Sequence, residues 1–225
     1  MSRPIEFDRS KALDKAVALF WRKGYQATSL TDLLAATQIG RSSFYAAFTD
    51  KRSLFLTCMD VFAARTGDLL EHARATKPPL DVLEDFFQGK FFGGRESRRN
   101  WGCMLVNSVL EMAGVDEGIV ARASAHLTGL QRYFETCLRD AGATPAQASE
   151  LAAILMLFNE GIRVSNRRRL SRPQQAHTIA ATFRLIRSVI APGAVLEDET
   201  ERETEGETKR EPAGGPDGDH MSGTA

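Results

Sequence analysis

The chain has 225 residues, 43% of them hydrophobic, with 29 basic and 29 acidic side chains. That size and apolar content suit a soluble protein of one large or two small domains with a real core, and they exclude a charge-rich disordered chain. The formal charge is zero but unevenly placed. Residues 192–225 hold ten acidic and three basic side chains, a balance of −7, which leaves +7 on the preceding 191 residues. A basic body with an acidic tail permits a polyanionic partner. Cys58, Cys103 and Cys137 form an odd set without CxxC spacing, as expected of thiols in a reducing compartment. The N-terminus lacks the apolar stretch of a signal peptide, and the longest apolar run, Leu151 to Phe158, is too short to cross a bilayer. A cytoplasmic location is expected.

Nearly every segment reads as helix, and no stretch alternates apolar and polar residues as a strand would. Asp8 caps a first helix with Leu13, Ala16 and Phe20 inside, stopped by Gly24 near Lys23. Ser29 with Asp32 forms a capping box for a second helix, Leu30 to about Thr37, which Gly40 breaks. A third, about Arg41 to Phe48, is followed by a long fourth, capped by Thr49 and reaching about Arg74. After Lys77-Pro78-Pro79, residues Leu83, Phe86, Phe87, Lys90 and Phe91 make a helical stripe with one cation in it. A charged loop runs from Gly93 to Arg99, and Asn100 caps a helix to about Ala113. Further helices span about Asp116 to Asp140, Thr144-Pro145 to about Arg168, and Ser171 to just before Pro192. The expectation is an all-α fold of about nine helices. It divides into a three-helix helix-turn-helix unit (1–50), a dimerising helical bundle (51–191) and an acidic disordered tail (192–225).

The stretch TDLLAATQIGRSSFYAAF, residues 31–48, carries the functional signal. Helix, glycine turn, helix is the helix-turn-helix pattern. Its second helix has two turns, too few to stand alone, so Ile39, Phe44 and Phe48 must pin it from behind. That leaves Arg41, Ser42, Ser43, Ala46 and Ala47 outward, small or hydrogen-bonding groups that let a helix approach base edges. Lys51, and Thr28 and Ser29 at another helix start, stand where phosphates would sit.

The segment TSLTDLLAATQIGRSSFYAAFTDKRSLF, preceded by FDRSKALDKAVALFWRKGY, resembles the DNA-binding domain of TetR-family transcriptional repressors over about residues 6–56. The glycine, the aromatic pair Tyr45/Phe48 and Lys51 stand in register with that family's motif. The resemblance implies an all-helical homodimer with a variable C-terminal domain that binds a small inducer. It further implies phosphate contacts from Thr28, Tyr45 and Lys51, with Arg41, Ser42 and Ser43 at the groove of operator DNA. Ala47 departs from the histidine or other polar residue many members carry there. Arg3 could reach a minor groove.

One short reading helix contacts few base pairs, so two copies spaced by one DNA turn, roughly 34–36 Å, are needed. Leu151, Leu155 and Phe158, with the seam Ile179, Phe183, Ile186 and Ile190, are the expected dimer surface. Arg163, Arg167, Arg168 and Arg169 are expected to form a solvated end. Phe86, Phe87, Trp101, Met104, Asn107, Glu111 and Phe158 are candidates to line a ligand cavity. With Asn100 as N-cap, Cys103 stands at the third helical position beside Arg98 and Arg99, where the helix dipole favours a thiolate. NWGCMLVN resembles a family branch with Gly-Cys here, some of whose members sense oxidants or electrophiles. Cys58 and Cys137 read as packing residues. His72, His126, His177 and His220 show no ligand spacing, so neither enzyme, cofactor nor metal is expected. The rival reading is a helical protein-interaction adaptor without DNA binding.

Overall fold

The computed structural model describes residues 8–92, 101–168 and 171–191. The acidic tail, Arg3, the 93–99 loop and the Asn100 cap fall outside them. Nine α-helices occupy the described residues: α1 Arg9–Lys23, α2 Leu30–Thr37, α3 Arg41–Phe48, α4 Lys51–Arg74, α5 Pro79–Phe87, α6 Met104–Met112, α7 Glu117–Asp140, α8 Pro145–Arg167 and α9 Arg172–Ile190.

Local chemistry sets most boundaries where expected. Asp8 accepts from the Ser10 and Lys11 amides, and Gly24 closes α1 at φ +85°. The Ser29/Asp32 capping box opens α2. Two stops differ. Gln38, not Gly40, takes the left-handed position after α2 at φ 61°, its amide oxygen accepting from Lys15 Nζ at 3.1 Å; Gly40 at φ −66° is instead the N-cap of α3. Asp50 rather than Thr49 caps α4, accepting from the Ser53 amide, because a carboxylate satisfies the orphan N–H groups better than a hydroxyl.

The start of α6 is a correction with consequences. Gly102 at φ +75° cannot continue a helix, and Asn107 reaches back to donate to the Trp101 carbonyl at 2.7 Å. The helix therefore begins at Met104, with Cys103 as its N-cap residue rather than its third helical position. The aromatic stripe of α5 also ends early, at Phe87, and a short 3₁₀ turn holds Lys90–Phe92. There the Lys90 ammonium joins Lys77 on the buried carboxylate of Asp85.

Two apolar cores result. The first joins α1, α2 and α3 to the start of α4, to α6 and to the start of α7, around Phe20, Leu33, Phe44, Leu54 and Met104. The second joins the end of α4 to α5, the end of α7, α8 and α9, around Leu83, Phe134, Leu155 and Phe183. Only α4 and α7 run through both. Each has 24 residues, about 36 Å at helical rise, so they tie the two ends of the molecule together.

Between the cores the facing stripes of α4 and α7 carry small residues. A Cβ built at Gly67 or Gly129 meets nothing within 4 Å. Both glycines are helical, so Gly67→Ala and Gly129→Ala should each raise unfolding free energy by about 0.5–1 kcal/mol, read from urea midpoints at unchanged m.

Candidate nucleic-acid interface and regulatory cavity

Burial gives α3 an inner and an outer face, although Ala47, expected on the outer one, packs partly against the first core. Phe44 and Phe48 are buried, together with Ile39 ahead of the helix. Arg41, Ser42, Tyr45 and Ala46 are exposed, and Ser43 and Ala47 are half-buried. Tyr45 is 46% exposed and meets Phe44 edge-on. Lys51 stands 4.3 Å above the Tyr25 ring, and its partial burial pushes the ammonium below its ordinary range, against the attraction of the Glu111 carboxylate. The contact fixes a cation beside α3.

Thr28 is placed differently from the expectation. It is fully buried, and its hydroxyl donates inward to the Gly24 carbonyl at 2.6 Å, so it locks the α1–α2 turn and offers nothing to a phosphate. Ser29 is exposed, but its amide and hydroxyl both donate to the Asp32 carboxylate, which also holds Lys23. Those donors are already taken. Arg9, whose guanidinium lies 5.6 Å over the Phe48 ring, is a cation at this surface that helix periodicity did not single out.

A cavity of about 430 Å³ opens between the cores, lined by α4, α5, the start of α6 and α7. Its lining is mostly apolar, with Phe62, Leu70, Phe86 and Leu130 among its walls. Polar groups are few. His126 Nε2 lies 2.7 Å from the Asp60 carboxylate, which Arg122 also approaches at 3.2 Å, and Thr66 and Tyr133 complete the set. None of those four polar liners was singled out from sequence, although His126, Gly129, Leu130 and Tyr133 fall at i, i+3, i+4 and i+7 on α7.

Of the residues proposed for a ligand, Cys103 and Phe86 line this cavity. The others do not. Met104 and Phe87 are core residues, and Phe158 stacks on Phe87 at 5.4 Å. Trp101 packs edge-on against Trp21 at 5.4 Å, beside the hydrogen bond from Trp21 Nε1 to the Gly102 carbonyl. Asn107 holds the Trp101 carbonyl, and Glu111 faces the α1–α2 turn. Cys58 and Cys137 are fully buried, and burial pushes the Cys58 thiol well above its ordinary range and raises that of Cys137.

The residues expected at the dimer surface are largely turned into the chain's own core. Leu155, Ile179, Phe183 and Ile186 are buried in the second core, with Leu151, Phe158 and Ile190 half-buried against it. The bare apolar stripes lie one residue earlier on each helix. On α8 they are Ile154, Leu157 and Val164, at 55%, 70% and 49% exposure, with Gly161 between them. On α9, Leu185 and Val189 are 68% and 47% exposed, continuing the line of Thr178 and Thr182. Both threonine hydroxyls donate to carbonyls of their own helix. Each of the two helices thus carries exposed apolar side chains.

Residues 12–58 match the family model described as bacterial regulatory proteins, tetR family, and residues 79–182 match the LmrA/YxaF-like transcriptional regulator C-terminal domain. The chain is 32% identical over 195 residues to the HTH-type transcriptional repressor ComR of Escherichia coli K12, covering 81% of this chain and 90% of ComR. It is 27% identical over 164 residues to the HTH-type transcriptional regulator YezE of Bacillus subtilis, covering 71% and 84%. In fold it is similar to a cysteine mutant of the regulator CifR complexed with 26-bp operator DNA (TM-score 0.66, 23% identity, 81% of this chain and 98% of that one). It is also similar to reduced Escherichia coli NemR (TM-score 0.66, 17% identity, 83% and 99%). On these matches the chain belongs to the TetR family: it is a DNA-binding transcription regulator that works as a dimer, and not an enzyme.

Proposed function

We propose that this protein is a cytoplasmic repressor that sits on a palindromic operator and leaves it when the cavity between α4 and α7 is filled. The observation that carries the reading is the division of α3, with two phenylalanines locked inward and Arg41, Ser42, Tyr45 and Ala46 bare. Arg41, Ser42 and Ser43 read bases, while Tyr45 and Lys51 hold phosphates. Stripes on α8 and α9 pair two copies, so that two reading helices meet successive turns of one DNA face. The inducer is a small, largely apolar molecule matched to a cavity of about 430 Å³, or an electrophile that modifies Cys103 in its wall. Either acts only through a difference in affinity between two arrangements of the helices.

Selection of genomic fragments by the purified protein tests the first half. Inverted repeats should be enriched, and their affinity should fall steeply with salt; a protein that ignores such duplexes at low ionic strength ends the reading. Lys51→Ala should then weaken binding alike on every selected sequence and reduce the slope of log K against log salt by about 0.9, one phosphate contact. Fluorescence anisotropy over 50–300 mM salt reads this.

Maleimide labelling tests the second half. Cys103 borders the cavity, whereas Cys58 and Cys137 are sealed in core with their thiols held protonated. Cys103 should label first in the folded protein, and its adduct should release the selected duplex. Labelling that begins at Cys58, or an adduct that binds as before, rejects Cys103 as a sensor.

A further inference from the structure

Glu111 has a geometry that neither core packing nor a ligand role explains. Its two carboxylate oxygens each accept a backbone N–H, Tyr25 at 2.9 Å and Gln26 at 2.7 Å. The Gln26 side chain returns the contact, donating to the Glu111 carbonyl at 3.1 Å. The clamped residues follow Gly24, whose φ of +85° turns the chain out of α1. The fit is close: a Cβ at Gly24 would come within 2.7 Å of Glu111 Oε2. One carboxylate from α6 thus satisfies two consecutive amides of the turn that leads into α2.

The other end of α6 is also tied to the reading head. Trp21 donates to the Gly102 carbonyl at 2.8 Å, and Trp101 packs on the same indole. Gly102, Cys103 and Leu105, at that end, line the cavity. A helix of nine residues, about 13 Å long, therefore runs from the cavity wall to the α1–α2 turn, bonded to the DNA-binding helices at both ends. Next to the clamped Tyr25 stands Lys51, over its ring.

We propose that Glu111 is a positioning residue for operator binding. It touches no DNA; it fixes the α1–α2 turn, and with it the Tyr25–Lys51 contact and the seat of α2 and α3, to the helix that borders the cavity. The regulatory half of this inference rests on the cavity being the inducer site; the positioning half does not. A displacement of Gly102–Leu105 by a ligand or a Cys103 adduct is passed along α6 to the turn as a loosened or shifted clamp.

Glu111→Gln is the sharp test. The amide is nearly isosteric but offers one acceptor and one donor, so it can hold only one of the two N–H groups. Losing one charge-assisted bond and leaving an N–H facing an NH₂ should lower affinity for the selected duplex about tenfold or more. The salt slope should stay that of the wild type, because no phosphate contact is lost. Hydrogen exchange should speed up at Tyr25 and Gln26 while amides of α8 and α9 stay protected. Affinity within twofold of wild type in the folded variant, or unchanged protection at those two amides, overturns the proposal. If Glu111→Gln does not fold, Glu111→Asp supplies the same readouts, since it keeps the charge but is one methylene too short to bridge both amides. The N-ethylmaleimide adduct of wild-type Cys103 separates the two readings. Weakened DNA binding in Glu111→Gln with an inert adduct keeps the positioning role and removes the cavity switch. An adduct that releases DNA while Glu111→Gln binds normally does the reverse.

Discussion

Leu157→Asp combined with Leu185→Asp is expected to convert the protein to a monomer and to lower operator affinity at least about 100-fold. Both leucines are about two-thirds exposed in the single chain, at 70% and 68%, so neither change removes core packing. In a two-fold interface each residue lies near its own copy or its neighbour's, and aspartates placed there face one another in a desolvated patch. Unpaired buried charge costs several kcal/mol per site, and only the surplus of contact energy over the costs of association holds a dimer together. Each monomer still presents one intact reading helix, so weak salt-dependent DNA binding survives while the gain from linking two half-sites is lost. Gly161, between Leu157 and Val164, has open space at its Cβ, room for a partner's backbone in the proposed interface. Light scattering should report the mass of one chain, 24.8 kDa, with an unchanged melting profile for the remaining fold. Phe183→Asp is the control: this ring is fully buried within the chain, so its replacement should unfold the second core instead of dissociating an intact dimer. A double aspartate variant that remains dimeric would put the pairing surface elsewhere.

The same pair of helices shows what the sequence could and could not disclose. The seam Ile179, Phe183, Ile186, Ile190 and the more exposed line Thr178, Thr182, Leu185, Val189 have identical spacing and differ by one residue, a rotation of about 100° on a helix. Periodicity detects both stripes and cannot say which one faces the chain's own core. The choice depends on how α5 and α7 sit against α8 and α9, a long-range matter. Where signals were local they were legible: the Ser29/Asp32 box, the Asp8 cap and the burial of Phe44 and Phe48 in α3 all follow from residues within one or two turns. The misplaced start of α6 had a local cause of the opposite kind, since Gly102 at φ +75° outweighs the capping preference assigned to Asn100. Glu111 and His126 were hidden for the long-range reason again. Their partners, Tyr25 and Gln26 for the first and Asp60 for the second, lie 86, 85 and 66 positions away in sequence.

Phe44→Ala should abolish operator binding through the stability of the reading head. The helix that carries Arg41 to Tyr45 has eight residues, no side-chain hydrogen bond at its Gly40 cap and no acidic residue in its first turn. Such a helix is unstable by itself and persists only through what it buries. Phe44 is fully buried, with Phe48 and Tyr45 rings at 5.7 and 5.6 Å, and it shares the first core with Leu33, Ile39 and Leu54. Truncating a buried phenylalanine costs about 3–5 kcal/mol, through lost transfer energy and the cavity left behind. Little in α3 can absorb that loss, so the helix should leave its seat before the second core is disturbed. Hydrogen exchange should show α2 and α3 amides unprotected while α8 and α9 remain protected, and the protein should remain a dimer. Circular dichroism should lose helix in proportion to the short helices alone. Phe44→Leu keeps most of the volume and should retain the fold with part of the affinity. Normal operator binding by Phe44→Ala would mean that α3 is held by something other than the face it buries.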